Sequence, residues 1–306
     1  MAFTAMDVKA LREATGCGML DCKNALTASD GDMDKAIEIL REKGLASAAK
    51  KASRVAAEGV VMAYDDKAAK VAAVVEVNSE TDFVAKNQAF VDFAKACAKA
   101  AAEFNPADVD ALMACKEDGK VLNDTLTDLK LSIRENIKVR RFVRIEGDCS
   151  TYVHGGGKIG VIVKFDTDCA GKDGFEEYGK DVAMQIAAIN PPYLCEKCVP
   201  DDVLAKEKEI MMIQMQNDPK MANKPEAALA KIVDGKMGKF YKENCLLDQA
   251  FVKDDKISVA EYTEQTAKAL GGSIKIVDFV RMEKGEGIEK REENFADEIA
   301  KLVGNK

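Results

Sequence analysis

Two short apolar runs constrain this chain more than any other feature. Val71 to Val77 and Ile159 to Phe165 each follow a turn and a strand-like run, and each precedes an amphipathic helix. The first hairpin reads as Val60 to Tyr64, a turn at Asp65-Asp66-Lys67, and Lys70 to Val77. The second reads as Thr151 to His154, a turn at Gly155-Gly156-Gly157, and Ile159 to Phe165. Lys158-Ile-Gly-Val-Ile-Val163 answers Lys70-Val-Ala-Ala-Val-Val75. Strand, turn, strand and helix occurring twice in the same order predicts an α+β fold with a duplicated core of two related subdomains.

The helix after the first hairpin is expected from Asp82, with Ser79 capping it and Asp82 three residues on, as in a capping box. Phe83 then begins a buried stripe that continues through Phe90, Ala94, Cys97, Ala101 and Phe104. Shorter helices fill the chain to Asn136, and a strand runs from Val139 to Glu146. The second helix spans Phe175 to Ile189 and is broken by Asn190-Pro191-Pro192. Two helical stretches follow, about 201–216 and 225–244. Ile210, Met211, Ile213 and Met215 on one are expected to face Leu229, Ile232, Val233 and Met237 on the other. That is an antiparallel helical hairpin inserted into the second subdomain. The chain returns through Phe251-Val252, a helix near Val259 to Leu270 and a strand from Ile274 to Met282. Gly285 and Gly287 lead to a terminal helix over Glu289 to Val303.

The N-terminus reads as three short helices. Thr4 and Asp7 form a capping-box pattern ahead of Val8 and Leu11, Thr15-Gly16-Cys17-Gly18 turns tightly, and Met19 to Ala28 is the second helix. After Asp30-Gly31, Asp32 caps a third helix that stops at Gly44, and 46–57 is a helical or flexible linker. So small a unit has little core and is better suited to binding a partner than to catalysis. The expected organisation is thus 1–54, a three-helix unit with linker; 55–138, the first core subdomain; 139–195 with 246–284, the second; 196–245, the inserted hairpin; and 285–306, a terminal helix module.

The net charge of −8 disfavours nucleic acid as a partner. No stretch approaches the roughly twenty apolar residues that span a bilayer, and the N-terminus lacks a signal or transit pattern. A cytoplasmic, bacterial-type protein is expected. Nine scattered cysteines do not form a disulfide framework. Cys195-Glu-Lys-Cys198 has half the spacing of a zinc site, but a second pair is missing and the single histidine is distant; inert thiols are expected, with no metal and no cofactor. Gly155-Gly156-Gly157-Lys158 fails as a phosphate loop, since the glycines precede a strand and no Ser or Thr follows the lysine. His154 lacks the motif of a catalytic histidine. Arg140, Arg141 and Arg144, on an alternating strand, read as a solvated face or internal ion pairs; the alternative is an RNA-binding accessory of translation that uses them with nearby lysines. No motif supports an enzyme.

Glu76-Val-Asn-Ser-Glu-Thr-Asp-Phe-Val-Ala-Lys-Asn87 closely resembles a signature segment of the elongation factor Ts family. Val8 to Glu13 with Thr15 to Lys23, Tyr152 to Gly156 with Ile159 to Val161, Asp181 to Ala188, Asn190-Pro191 and Gly285 to Ile288 resemble other segments of that family, in order. The resemblance implies a nucleotide exchange factor, not an enzyme, whose partner is elongation factor Tu. It implies a three-helix unit similar to ubiquitin-associated domains that docks on the partner's G domain through Arg12, Met19 and Leu20, where the family often has a second Met in place of Leu20. Thr81, Asp82, Phe83 and Val84 match the stretch that intrudes near the nucleotide's magnesium and phosphates. His154, Gly155 and Gly156 are expected to approach the partner's third domain, and the terminal helix to return to its G domain. The inserted hairpin resembles a coiled coil that allows a homodimer.

Overall fold

The strand Val71–Ser79 is buried at all nine of its positions, and a strand with no solvated face has to lie between two layers. The computed structural model describes residues 3–15, 17–51, 53–218 and 225–289. In chain order the elements are α1 (Ala5–Thr15), α2 (Met19–Ala28), α3 (Met33–Lys51), β1 (Glu58–Asp66), β2 (Val71–Ser79), α4 (Asp82–Ala85), α5 (Gln88–Phe104) and α6 (Val109–Ala114). Next come β3 (Lys116–Glu117), β4 (Lys120–Val121), α7 (Leu122–Ile133), β5 (Lys138–Glu146), β6 (Asp148–His154), β7 (Ile159–Thr167) and α8 (Phe175–Ile189). The rest are α9 (Asp201–Asn217), α10 (Glu226–Asn244), β8 (Ala250–Phe251), β9 (Asp254–Ser258), α11 (Val259–Ala269) and β10 (Ile274–Glu283).

Two antiparallel three-stranded sheets, β1-β2-β5 and β10-β7-β6, form the inner layers. Each uses its hairpin and a later returning strand in the same way. Alternation in β2 explains the double burial: Val71, Ala73, Val75 and Val77 meet Phe90, Ala94, Cys97 and Ala101 of α5. Ala72 and Val74 point the other way, onto Ile162 of β7 and Cys149 of β6. In β7, Ile159, Val161, Val163 and Phe165 meet Phe175, Tyr178, Val182 and Ile186 of α8. The core is therefore helix, sheet, sheet, helix, with the two sheets face to face. Gly160 sits at their closest approach, where an added Cβ would lie 2.5 Å from Val61.

Several elements differ from expectation. The strand over 139–146, expected to open the second subdomain, pairs with β2 as β5 and completes the first sheet. Alternation identifies a strand but not its neighbour. The helix at Asp82 ends at Ala85, and α5 starts afresh because the Asn87 side chain accepts from the amides of Ala89 (3.0 Å) and Phe90 (3.4 Å). Ser79 does not cap; it is buried at the end of β2 and its hydroxyl donates to the Thr81 carbonyl at 3.0 Å. Phe104 is exposed at the far end of the stripe.

The third N-terminal helix does not stop at Gly44 but runs to Lys51. The glycine serves a close approach instead: an added Cβ would lie 1.6 Å from Leu131 of α7. At the start of that unit the amide of Thr4 donates to Asp7 at 2.6 Å, while the Asp7 amide meets the Thr4 hydroxyl at 3.4 Å. In the α9–α10 arm, Met215, Leu229 and Val233 are buried with Met211, Met212 and Ile232 against them. Ile210 and Ile213 are exposed. Residues advance about 100° each along a helix, so a seam on Met211, Met212 and Met215 turns both isoleucines away.

Cys195 and Cys198 are joined by a disulfide, contrary to the expected inert thiols; a short 3₁₀ turn, Glu196–Cys198, holds their Cα atoms 5.2 Å apart. Of the expected terminal helix only Glu289 is described; the remainder, like Gly16, lies outside the described residues. Among the described residues no helix is long and apolar enough to cross a membrane.

Candidate functional site

Phe83 is the most conspicuous apolar side chain on the core: it is 79% exposed on the four-residue helix α4. A lone exposed aromatic is ordinary, but this one is presented by a rigid mount. Val84, its neighbour, is buried in the first core and pins α4 to the sheet. Just before α4, the Glu135 carboxylate accepts from the amides of Glu80 (3.1 Å) and Thr81 (3.0 Å) and from the Thr81 hydroxyl (2.6 Å). Glu80 in turn accepts from the Asn136 amide at 2.6 Å and pairs with Arg54 at 3.3 Å. Two segments far apart in sequence therefore clasp each other through their carboxylates and backbone.

Asp82 lies beside Phe83, half exposed, and Lys86 bridges to it at 2.7 Å one helical turn on. That hydrogen bond holds the Asp82 carboxyl below its usual range. The same ammonium lies 5.9 Å from the Phe83 ring centroid, so it serves the acid and the ring together. The knob presents an aromatic face and a carboxylate side by side.

In the middle strand of the same sheet, Glu76 is fully buried. It accepts from Arg140 (3.0 Å), Arg141 (2.6 Å), Asn78 (3.0 Å) and the Gly285 amide (2.7 Å). Burial pushes this carboxyl up, but the donors from Gly285, Asn78, Arg141 and Arg140 outweigh it and leave the group below its ordinary value. Arg141 continues to Glu286 at 3.0 Å, and Lys284 pairs with Glu58. The turn after β10 is thereby tied to all three strands of the first sheet. Arg144 donates to the Ala102 carbonyl at 2.8 Å and to Glu146 at 2.5 Å. The three arginines of the RNA reading are thus each engaged by internal partners.

Met19 and Leu20 are exposed at the start of α2, where with Phe3 and Val8 they line an apolar groove. Arg12 is exposed on α1, outside that groove. His154, Gly155 and Gly156 form the exposed tip of the β6–β7 hairpin. The Tyr152 hydroxyl lies 3.0 Å from His154 Nδ1 and orients the ring. Gly155 and Gly156 have φ of 59° and 65°, and Gly157, at 100°, packs its backbone against Val60. Its carbonyl accepts from the Val61 amide at 2.7 Å, which fixes the tip to the first sheet. The residues expected to bind thus stand on four separate parts of the fold, α1, α2, α4 and the β6–β7 tip, rather than in one cleft. Among the described residues no group of three or more His, Cys, Asp or Glu could hold a metal ion.

Glu135 and Arg54 were not singled out by sequence reasoning, and Lys86 and Asn87, though inside the signature segment, were given no role of their own. For Asn87 a signal existed, since Asn before an apolar-periodic stretch is a helix cap. Glu135 carried none, because a carboxylate that grips backbone from more than fifty residues away leaves no local pattern.

The profile of the family described as elongation factor TS matches residues 80–286. Elongation factor Ts of Clostridium perfringens (strain 13) is 51% identical over 305 residues, which covers 98% of this chain and 99% of the relative. Elongation factor Ts of Clostridium botulinum (strain Alaska E43) is 48% identical over 305 residues, covering 98% and 99%. That of Clostridium kluyveri (strain NBRC 12016) is 47% identical over 309 residues, covering 99% of each.

Proposed function

The chain belongs to the elongation factor Ts family, and from that premise we propose that it is a guanine-nucleotide exchange factor. It binds elongation factor Tu carrying GDP and promotes release of the nucleotide, so that GTP can enter during translation elongation. It works in the cytoplasm and catalyses no covalent step. The observation that carries this reading is the mounted knob: Phe83 exposed beside Asp82, on a helix fixed by Val84 from below and Glu135 from the side.

GDP and its magnesium are held mainly by electrostatics and backbone hydrogen bonds. An aromatic wedge between helices of the partner's G domain displaces the elements that supply those bonds. A carboxylate brought close to the metal competes for its polar network. We assign the first role to Phe83 and the second to Asp82, with Thr81 and Val84 as the mount. Arg12, Met19 and Leu20 dock on the G domain; His154, Gly155 and Gly156 meet the third domain; the arm is open to a second copy of the chain. Linkage makes the effect reciprocal, so bound GDP weakens this factor's grip by the same factor.

The test is release of a fluorescent GDP from elongation factor Tu into excess unlabelled nucleotide. Faster release at substoichiometric amounts of this chain is expected, and Asp82→Ala and Phe83→Ala should each slow it. No acceleration by a folded chain with its cognate Tu would reject the proposal.

A further inference from the structure

We propose that Cys195 and Cys198 form a reversible dithiol–disulfide site that exchanges with a low-molecular-weight thiol at the root of the helical arm. The chain has nine cysteines, and the other seven are free. Six of those seven are buried and Cys115 is half-buried. Burial pushes Cys97 up to about 12 and Cys149 and Cys245 up to about 11, so these thiols are poor nucleophiles near neutrality. The pair at 195 and 198 differs in two respects. It is oxidised, and it is open to solvent, with Cys198 exposed and Cys195 half-buried.

The pairing does not depend on the sulfur–sulfur bond to bring the residues together. The Cys198 amide donates to the Cys195 carbonyl at 2.9 Å, and the Val199 amide to the Glu196 carbonyl at 3.2 Å. Both flanks are anchored. Ahead of the turn, the amides of Leu246 and Leu247 donate to the carbonyls of Tyr193 (2.9 Å) and Leu194 (3.1 Å), and Tyr193 bridges to Cys245. Behind it, Val199 is buried before α9 begins at Asp201. A 5.2 Å Cα separation already suits a disulfide. Reduction can therefore leave the turn in place, with both thiols held in reach of each other. That preorganisation makes reoxidation an intramolecular step.

The chemistry balances as two exchanges. A thiolate attacks Cys198 Sγ, on the more exposed residue; the bond to Cys195 breaks and its sulfur leaves as thiolate, which gives a mixed disulfide. A second thiolate attacks the small-molecule sulfur, releases the small disulfide and frees the Cys198 thiolate. The two protein sulfurs gain two electrons and, on protonation, two protons; the two small thiols are oxidised.

The test equilibrates the full chain in glutathione buffers of increasing reduced-to-oxidised ratio, starting from both the oxidised and the dithiothreitol-reduced protein. Samples are acid-quenched and alkylated with N-ethylmaleimide, and the peptide holding both residues is weighed. Both cysteines should become alkylated together, on one curve from either direction, while the other seven stay unchanged. The ratio of reduced to disulfide-bonded protein should follow the square of reduced glutathione over oxidised glutathione, as an intramolecular disulfide requires. Cys198→Ser should instead leave Cys195 carrying a single glutathione, with first-power dependence. A pair that stays locked until urea unfolds the chain, a pair that stays reduced in the most oxidising buffer, or wild-type protein that accumulates single-glutathione adducts would each overturn the proposal.

Discussion

Glu80 and Glu135 hold each other's backbone. The Glu135 carboxylate accepts from the Glu80 amide at 3.1 Å, and the Glu80 carboxylate accepts from the amide of Asn136, next to Glu135, at 2.6 Å. The same Glu135 carboxylate takes both donors of Thr81, the residue from which α4 departs. The wedge proposed for Phe83 has to resist being pushed back, and this clasp fixes the residue from which its helix departs.

Removing the clasp should separate stability from function. Glu135→Ala strands the Glu80 and Thr81 amides and should cost about 1–3 kcal/mol. Urea denaturation measures that loss. Nucleotide release from elongation factor Tu should slow as well, although Asp82 and Phe83 are untouched. Glu135→Gln keeps an acceptor oxygen and should recover part of both. Unchanged release with the alanine variant, at a concentration where it is folded, would show that the mount is dispensable.

Two phenylalanines seven residues apart should behave in opposite ways. Phe83 is 79% exposed, so Phe83→Ala should alter stability by no more than about 0.5 kcal/mol while slowing nucleotide release. Phe90 is fully buried against β2, so Phe90→Ala should cost about 3–5 kcal/mol, with release per folded molecule little changed. Paired denaturation and release assays decide this. A large stability loss at Phe83 would mean that its ring belongs to the core.

Phe83 also marks where the sequence stopped being informative. Helical spacing placed it at the head of the buried stripe, and from Phe90 to Ala101 that stripe is where periodicity put it. The Asn87 cap breaks the helix between Phe83 and Phe90, so the ring no longer shares their face. Hairpins and α8 were legible because apolar runs parted by turn residues and the Asn190-Pro191 stop are local signals. Strand partners were not: β5 carries the expected alternation yet completes the first sheet, since nothing local records which edge a strand will find. The arm was legible as two helices, but its seam was rotated, because Ile210 and Ile213 look as apolar as Met211 and Met215. Of the candidate site, the aromatic and the acid were visible and their mount was not.

Gly44 offers a test of how the N-terminal unit meets the core. In a helix, alanine is favoured over glycine by about 1 kcal/mol. Here the added carbon would lie 1.6 Å from Leu131 Cδ2 and 2.3 Å from its Cγ. Gly44→Ala should therefore loosen the contact between α3 and α7, raising hydrogen exchange along both. Leu131→Ala in the same molecule should relieve the overlap and let the helix gain appear. If Gly44→Ala alone protects both helices better than wild type, the close approach is not present in solution.

Glu76 predicts how acid acts on the fold. Its folded pKa lies below the ordinary value, because donors from Gly285, Asn78, Arg141 and Arg140 outweigh the burial that pushes it up. The carboxylate therefore contributes stability in full above its unfolded pKa, about 4.3, and that contribution is lost as pH falls through the folded value. Glu76→Gln should cost about 3 kcal/mol at pH 7, the low end for breaking a buried pair, because both guanidinium groups still reach water. Urea midpoints of wild type and variant should lie far apart at pH 7 and draw together as the pH is taken below about 4, since wild type then loses what the variant never had. The Gly285 turn should also exchange its amide faster in the variant at pH 7. A gap between the two proteins that stays constant across that range would mean that Glu76 holds the turn by shape rather than by charge.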